Sequence, residues 1–256
     1  MPKSSPFDEF VARHGSTPRR GVFGLLVHDL GRRIVSGEFA EGDLLPNVDL
    51  LVSQLKFSRT PIREALKSLA SKGLVEIRTK MGTRVRPRAL WHHTDPDIMV
   101  WNYEIGPSQE FLGALADLRR ALEPEAAVRA AQRATAPEIA AIGVALQAMR
   151  ETTSTPVTHA EADWAFHQAI FAATHNLMFE RLFDVIAIGI FANAITAPKQ
   201  KISDGYHRSI PYHEHIFEAI KARDSGRAAD AVHRLLDTWQ PEPNGRVGTH
   251  NRKVKR

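Results

Sequence analysis

A chain of 256 residues with no cysteine cannot build a disulfide framework, a thiolate zinc site or a thiol nucleophile, and it is long enough for two ordinary domains. Residues 1–90 hold 16 Lys and Arg against 9 Asp and Glu, a net of +7 in a chain of +5, so a basic front suited to a polyanion precedes a slightly acidic remainder. No apolar run reaches the roughly 18–20 residues that span a bilayer, and MPKSSPFDEF lacks the apolar heart of a secretory signal; the expectation is a cytoplasmic protein with no membrane partner.

In chain order, VFGLLVHDLGRRIVS (22–36) places Val22, Leu25, Leu26, Leu30 and Ile34 on one helical face, and Gly37 ends it. Asn47 is an N-cap for VDLLVSQL. Ser58 or Thr60 can cap a third helix, PIREALKSLASK, whose Ile62, Ala65, Leu66, Leu69 and Ala70 keep the helical period until Gly73. LVEIRTKMGTRV then alternates, turns at Lys80-Met81-Gly82 and returns, which predicts a β-hairpin with a basic tip. Three helices and a hairpin make a winged helix-turn-helix over 18–88.

Such a unit presents its third helix to the DNA major groove. Arg59 and Arg63, four residues apart, can grip guanine O6/N7 or a phosphate, and Ser58 and Thr60 can donate to phosphate. Arg78, Lys80, Gly82 and Arg84 form the wing that lies along adjacent backbone or minor groove. Residues 89–108, ALWHHTDPDIMVWNYEIGPS, read as a linker with one short helix around DPDIMVW.

From Ser108 the texture changes to Ala- and Leu-rich amphipathic runs at 109–133, 137–151, 157–174, 177–196, 210–222 and 225–239, with a loop at TAPKQKISDGYHRS. The fold class is mainly α: the winged helix-turn-helix followed by an antiparallel helical bundle over 109–240. The polar tail 241–256 is expected to be disordered. Within the bundle, Asp163 and His167 are i,i+4 neighbours, an arrangement open to a metal site, an acid–base pair or a buried hydrogen bond. His92, His93, His159, His207 and His215 are read as surface or linker residues.

LLPNVDLLVSQLKFSRTPIREALKSLASKGLVEIRTKMGTRV, with its lead-in of Ile34, Gly37, Phe39, Gly42, Leu45 and Pro46, resembles the winged-helix domain of GntR-type bacterial transcription regulators. It departs from that pattern at Val48 and Asp49, where an acidic residue and a phosphate-contacting Arg usually stand. DLRRALEPEAAVRAA, ADWAFHQAIFAATHN and YHEHIFEAIKARD resemble the helical ligand-binding FCD domain of the FadR subfamily. The resemblance implies a divalent metal, zinc first, on Asp163, His167 and His213, with Leu235 at the place of a usual fourth ligand. It also implies that Arg119 grips an effector carboxylate; Asn176 is a second effector candidate or a left-handed helix C-cap.

The segment LWHHTDPDIMVW is similar to the interdomain segment of the sugar-acid, galactonate-type repressors of that family. The implied protein is a homodimeric repressor that binds a palindromic operator in the bacterial nucleoid and is released by a carboxylate or sugar acid. The alternatives are a metal-dependent hydrolase built on Asp163, His167 and His213, and a regulator that senses an acyl-CoA.

Overall fold

The computed structural model describes residues 21–152, 156–196 and 199–238. The expected tail at 241–256, and the expected domain start at 18, lie outside them. The chain divides after Pro107 into two compact units.

The first unit runs α1 (Gly21–Val35), α2 (Val48–Leu55), α3 (Arg59–Ser71), β1 (Val75–Arg78) and β2 (Gly82–Val85), then a 3-10 turn and α4 (Pro96–Glu104). Asn47 caps α2 by accepting from the Leu50 amide at 2.9 Å. The strands pair antiparallel with Val75 opposite Val85 and Arg78 opposite Gly82. The Gly42–Leu45 lead-in adds a third rung to the wing, since Leu45 donates to Thr83 and Val85 donates to Asp43. Leu26, Leu30, Ile34, Leu51, Ile62, Leu66, Leu69 and Val85 close one apolar core.

Residues 89–108 are more than a linker. Trp91, Ile98 and Trp101 belong to the core of the winged helix, and buried Lys72 at the end of α3 lies 3.0 Å from Asp95 and 2.7 Å from Asp97. The Trp101 indole N–H donates to His28 Nδ1 at 3.0 Å, while its ring lies over Gly31 so closely that a Cβ there would sit 2.3 Å from it. Gly31→Ala gains about 1 kcal/mol of helix propensity but must displace a buried indole, and overpacking of this kind costs about 1–3 kcal/mol. The expected result is a net loss of up to about 2 kcal/mol in urea unfolding of the full chain, relieved when Trp101→Phe is added.

The second unit is helical throughout its described residues: α5 (Gln109–Arg133), α6 (Ala136–Glu151), α7 (Pro156–Ala172), α8 (Leu177–Thr196), α9 (Lys199–Lys221) and α10 (Ser225–Thr238). A capping box opens α6, with Thr135 and Glu138 exchanging bonds across the first turn. The helices α7 and α8 pack on each other, as do α9 and α10, and α10 returns onto α5. The loop expected at TAPKQKISDGYHRS is a correction: from Lys199 onward the chain is helical, with Pro211 inside α9. Gly205 and Pro211 look like breakers in isolation, but packing of α9 on α5, α6, α7 and α10 overrides local propensity.

Candidate functional site

Two regions gather the chemistry, one in each unit. In the first, Ile62, Ala65, Leu66 and Leu69 face inward along α3, which turns Ser58, Arg59, Thr60 and Arg63 outward, all exposed. Ser58 occupies the N-cap position, yet its hydroxyl makes no capping bond. Arg59 Nη2 lies 2.8 Å from Asp49 Oδ1 in a well-exposed pair. No carboxylate pairs with Arg63 among the described residues. On the wing, Arg78 Nε sits 2.9 Å from its own strand's Glu76, and Lys80 and Gly82 make the tip with positive φ. Arg84, expected to lie along DNA, is exposed and donates one N–H to the Gly42 carbonyl, so it also braces the wing against the lead-in.

In the second unit, α7 carries Asp163 and His167 on one face, and α9 brings His213 to them. Nε2 of His213 stands 3.0 Å and Nε2 of His167 3.6 Å from Asp163 Oδ1. Both histidines are buried, and their rings cross at 79° with centroids 5.4 Å apart. Phe166 walls both rings edge-on. Asp163 keeps a side chain 24% exposed, so the cluster opens on its side.

The other nitrogens decide what the cluster can hold. Nδ1 of His213 lies 2.9 Å from the Ser209 carbonyl. A carbonyl only accepts, so Nδ1 carries the proton and a neutral His213 points the bare lone pair of Nε2 at an anionic oxygen. Nδ1 of His167 faces Glu123 Oε2 at 3.5 Å, which likewise favours a bare Nε2 toward Asp163. Neither Nε2 makes a hydrogen bond of proper geometry. Two such nitrogens and a carboxylate converge on one space, and Asp, His and His oriented by outer partners suit a divalent metal.

Charge settles the acid–base state. Burial raises the Asp163 carboxyl, but the close approach of His213, the proximity of His167 and the positive field of Arg119 outweigh it and hold the group at about 2. Burial lowers His167 below its ordinary value, against the opposing pull of Glu123 and Asp163. The first is an anion and the second a neutral imidazole at neutral pH, which are the forms that ligate metals.

Three placements differ from the sequence reading. Arg119 is buried with its Nε 2.6 Å from Glu123 Oε1, so the chain runs Arg119 to Glu123 to His167. Glu123 was missed, and its signal was the i,i+4 step from Arg119. Asn176, a candidate for effector contact or a left-handed C-cap, accepts from the Met178 amide at 3.0 Å and so caps the start of α8, while the positive φ falls on His175. His159, grouped with surface histidines, is buried one turn before Asp163 with Nε2 2.9 Å from the Thr152 carbonyl. Leu235 is buried, as an apolar residue should be.

A winged helix with outward arginines, in one chain with a helical unit built around a buried polar centre, defines a regulator with separate reading and sensing parts. Residues 26–85 match the family described as bacterial regulatory proteins, gntR family, and residues 114–238 match the FCD domain. The galactonate operon transcriptional repressor of Escherichia coli is 31% identical over 82% of this chain and 92% of its own length. The regulator LutR of Bacillus subtilis is 27% identical over 78% and 90%. The solved structure of Lar, described as controlling the expression of the Listeria monocytogenes agr system, superposes with a TM-score of 0.60 at 14% identity over 85% of this chain and 94% of that one, a likeness of fold alone. The chain belongs to the GntR family of bacterial transcription regulators and carries an FCD domain. It is a DNA-binding regulator, and the hydrolase reading falls with that. Among the described residues no helix is long and apolar enough to cross a membrane.

Proposed function

We propose that this chain is a cytoplasmic, homodimeric repressor of a sugar-acid catabolic operon, occupying a palindromic operator in the nucleoid until a small carboxylate enters the FCD domain. The observation that carries the sensing half is the buried Asp163, His167 and His213 cluster beside the Arg119 charge. A divalent metal, zinc first, fits those three side chains. When bound, it supplies a Lewis-acid partner for the effector's oxygen anion. Asp163 contributes a permanent anion, His167 and His213 contribute neutral nitrogens, and Glu123 orients the His167 ring. Arg119 lies close enough to lower Asp163 and supports a carboxylate in the same space. This compact polar set favours a hydroxylated small acid over an acyl-CoA, and the likeness to the galactonate operon repressor points the same way.

On the reading half, Ser58, Arg59, Thr60 and Arg63 face the major groove, and Arg78, Lys80 and Gly82 approach the flanking backbone, with Arg84 bracing them. Duplex selected from a random pool by the full chain is expected to be palindromic, and to be released by one member of a panel of hexonates and related acids. Arg63→Ala is expected to weaken binding to that duplex by about 10- to 100-fold, the cost of one lost bidentate base contact. Unchanged affinity of the Arg63→Ala chain in fluorescence anisotropy would refute the assignment of α3 as the reading helix.

A further inference from the structure

The first residue of α3 breaks two local rules. A cation, Arg59, occupies the helix start, where the dipole prefers an anion, and the Ser58 N-cap leaves its hydroxyl out of the capping role. Positions that break such rules without local compensation mark function. The compensation comes from another helix: Asp49, in the first turn of α2, lies 2.8 Å from Arg59 Nη2, on the face expected to meet DNA. An exposed pair of this kind contributes little to stability. A carboxylate beside a phosphate backbone is otherwise a liability.

We propose that Asp49 is a specificity-determining residue that converts Arg59 from a phosphate clamp into a reader of base edges. The proposal rests on the DNA-binding reading above. A phosphate contact draws affinity from counterion release, and each one steepens the salt dependence of binding by about 0.9 on the logarithmic scale. A guanidinium already neutralised by Asp49 has no net charge to exchange for counterions, and Asp49 repels the backbone. In the major groove the same pair is well matched: the other N–H groups of Arg59 can donate to guanine O6 and N7, while Asp49 can accept from a cytosine N4 amine. The pair therefore trades general affinity for discrimination between base pairs.

Salt titration separates the two roles. Full-length wild type, Asp49→Asn, Arg59→Ala and the double variant would be titrated by anisotropy against two probes. One is the duplex enriched by the wild-type chain from a random pool, and the other is a scrambled duplex of the same length. With a base-reading Arg59, the double variant, which lacks both charges, weakens the enriched duplex by about tenfold or more while the salt slope stays at its wild-type value. Arg59→Ala alone leaves Asp49 unpaired against the backbone and flattens the slope. Asp49→Asn frees Arg59 for phosphate, so the slope steepens by about one, the scrambled duplex binds more tightly, and the preference for the enriched duplex falls by about tenfold. In the double variant the slope returns to wild type. A double-variant slope that is shallower than wild type by about one, or an Asp49→Asn chain with wild-type slope and preference, overturns the proposal. Failure of the wild-type chain to enrich any duplex instead sinks the regulatory reading itself.

Discussion

Zinc added to the chelator-treated full chain is expected to raise its melting temperature by on the order of 10 °C at a thousandfold excess over the dissociation constant. Binding at that excess contributes about 4 kcal/mol to the folded state. The site is prepared for it: the Ser209 carbonyl and Glu123 fix the two rings, and the bare nitrogens meet Asp163. His213→Ala should abolish the zinc-dependent shift, and Glu123→Gln should weaken metal binding by about 10- to 100-fold through the loosened His167 ring. Acid should act on the stripped chain in one direction. His167 has a lowered pKa, so below its ordinary 6.5 the unfolded chain takes up a proton that the folded one refuses, and stability falls. Asp163 is depressed from 3.8 to about 2, so its contribution is whole above 3.8 and is lost as the pH falls toward 2. A zinc-independent melting temperature in the wild type, or an undiminished shift in His213→Ala, would rule out this centre as the metal site.

What the sequence disclosed and what it hid divide along a physical line. The winged helix was legible because each boundary has a local cause: Asn47 caps α2, Gly73 with φ of 79° ends α3, and Ile62 to Leu69 keep one face apolar. The Asp163–His167 step was legible because four residues on a helix fix which side chains share a face. Burial of charge is a tertiary fact and left weaker marks. Arg119 and Glu123 have the same spacing as any surface pair, and nothing local shows that α7 and α9 close over them. His159 shares the face of Asp163 and was misjudged for the same reason. The helix expected from 210 already held Pro211, but its first half from Lys199 went unseen because Ser203, Asp204 and Gly205 read as a turn. That half supplies the Ser209 carbonyl that accepts from His213 Nδ1. Linker residues Trp91 and Trp101 looked like connection, and their large apolar area buries them in the winged helix instead.

Arg119→Ala is expected to destabilise the chain by about 3–5 kcal/mol, because it strands the Glu123 carboxylate in a buried site without its partner. The pair is short, 2.6 Å, with side chains only 7% and 1% exposed. Its Coulomb attraction does little more than repay desolvation. Removing both charges should therefore cost far less than removing one, and Arg119→Met with Glu123→Leu should recover most of the loss in urea unfolding. The double variant also tests what the pair is for. If Arg119 and Glu123 serve only packing, that variant binds zinc and responds to acids as wild type does. If Glu123 orients His167 and Arg119 supplies positive charge beside Asp163, the recovered chain stays folded but loses metal affinity and acid-induced release of DNA together. Recovery of stability with loss of response would mark the buried ion pair as part of the sensor, retained at a cost that an apolar pair would avoid. An Arg119→Ala chain as stable as wild type would refute the reading of a buried pair whose halves depend on each other.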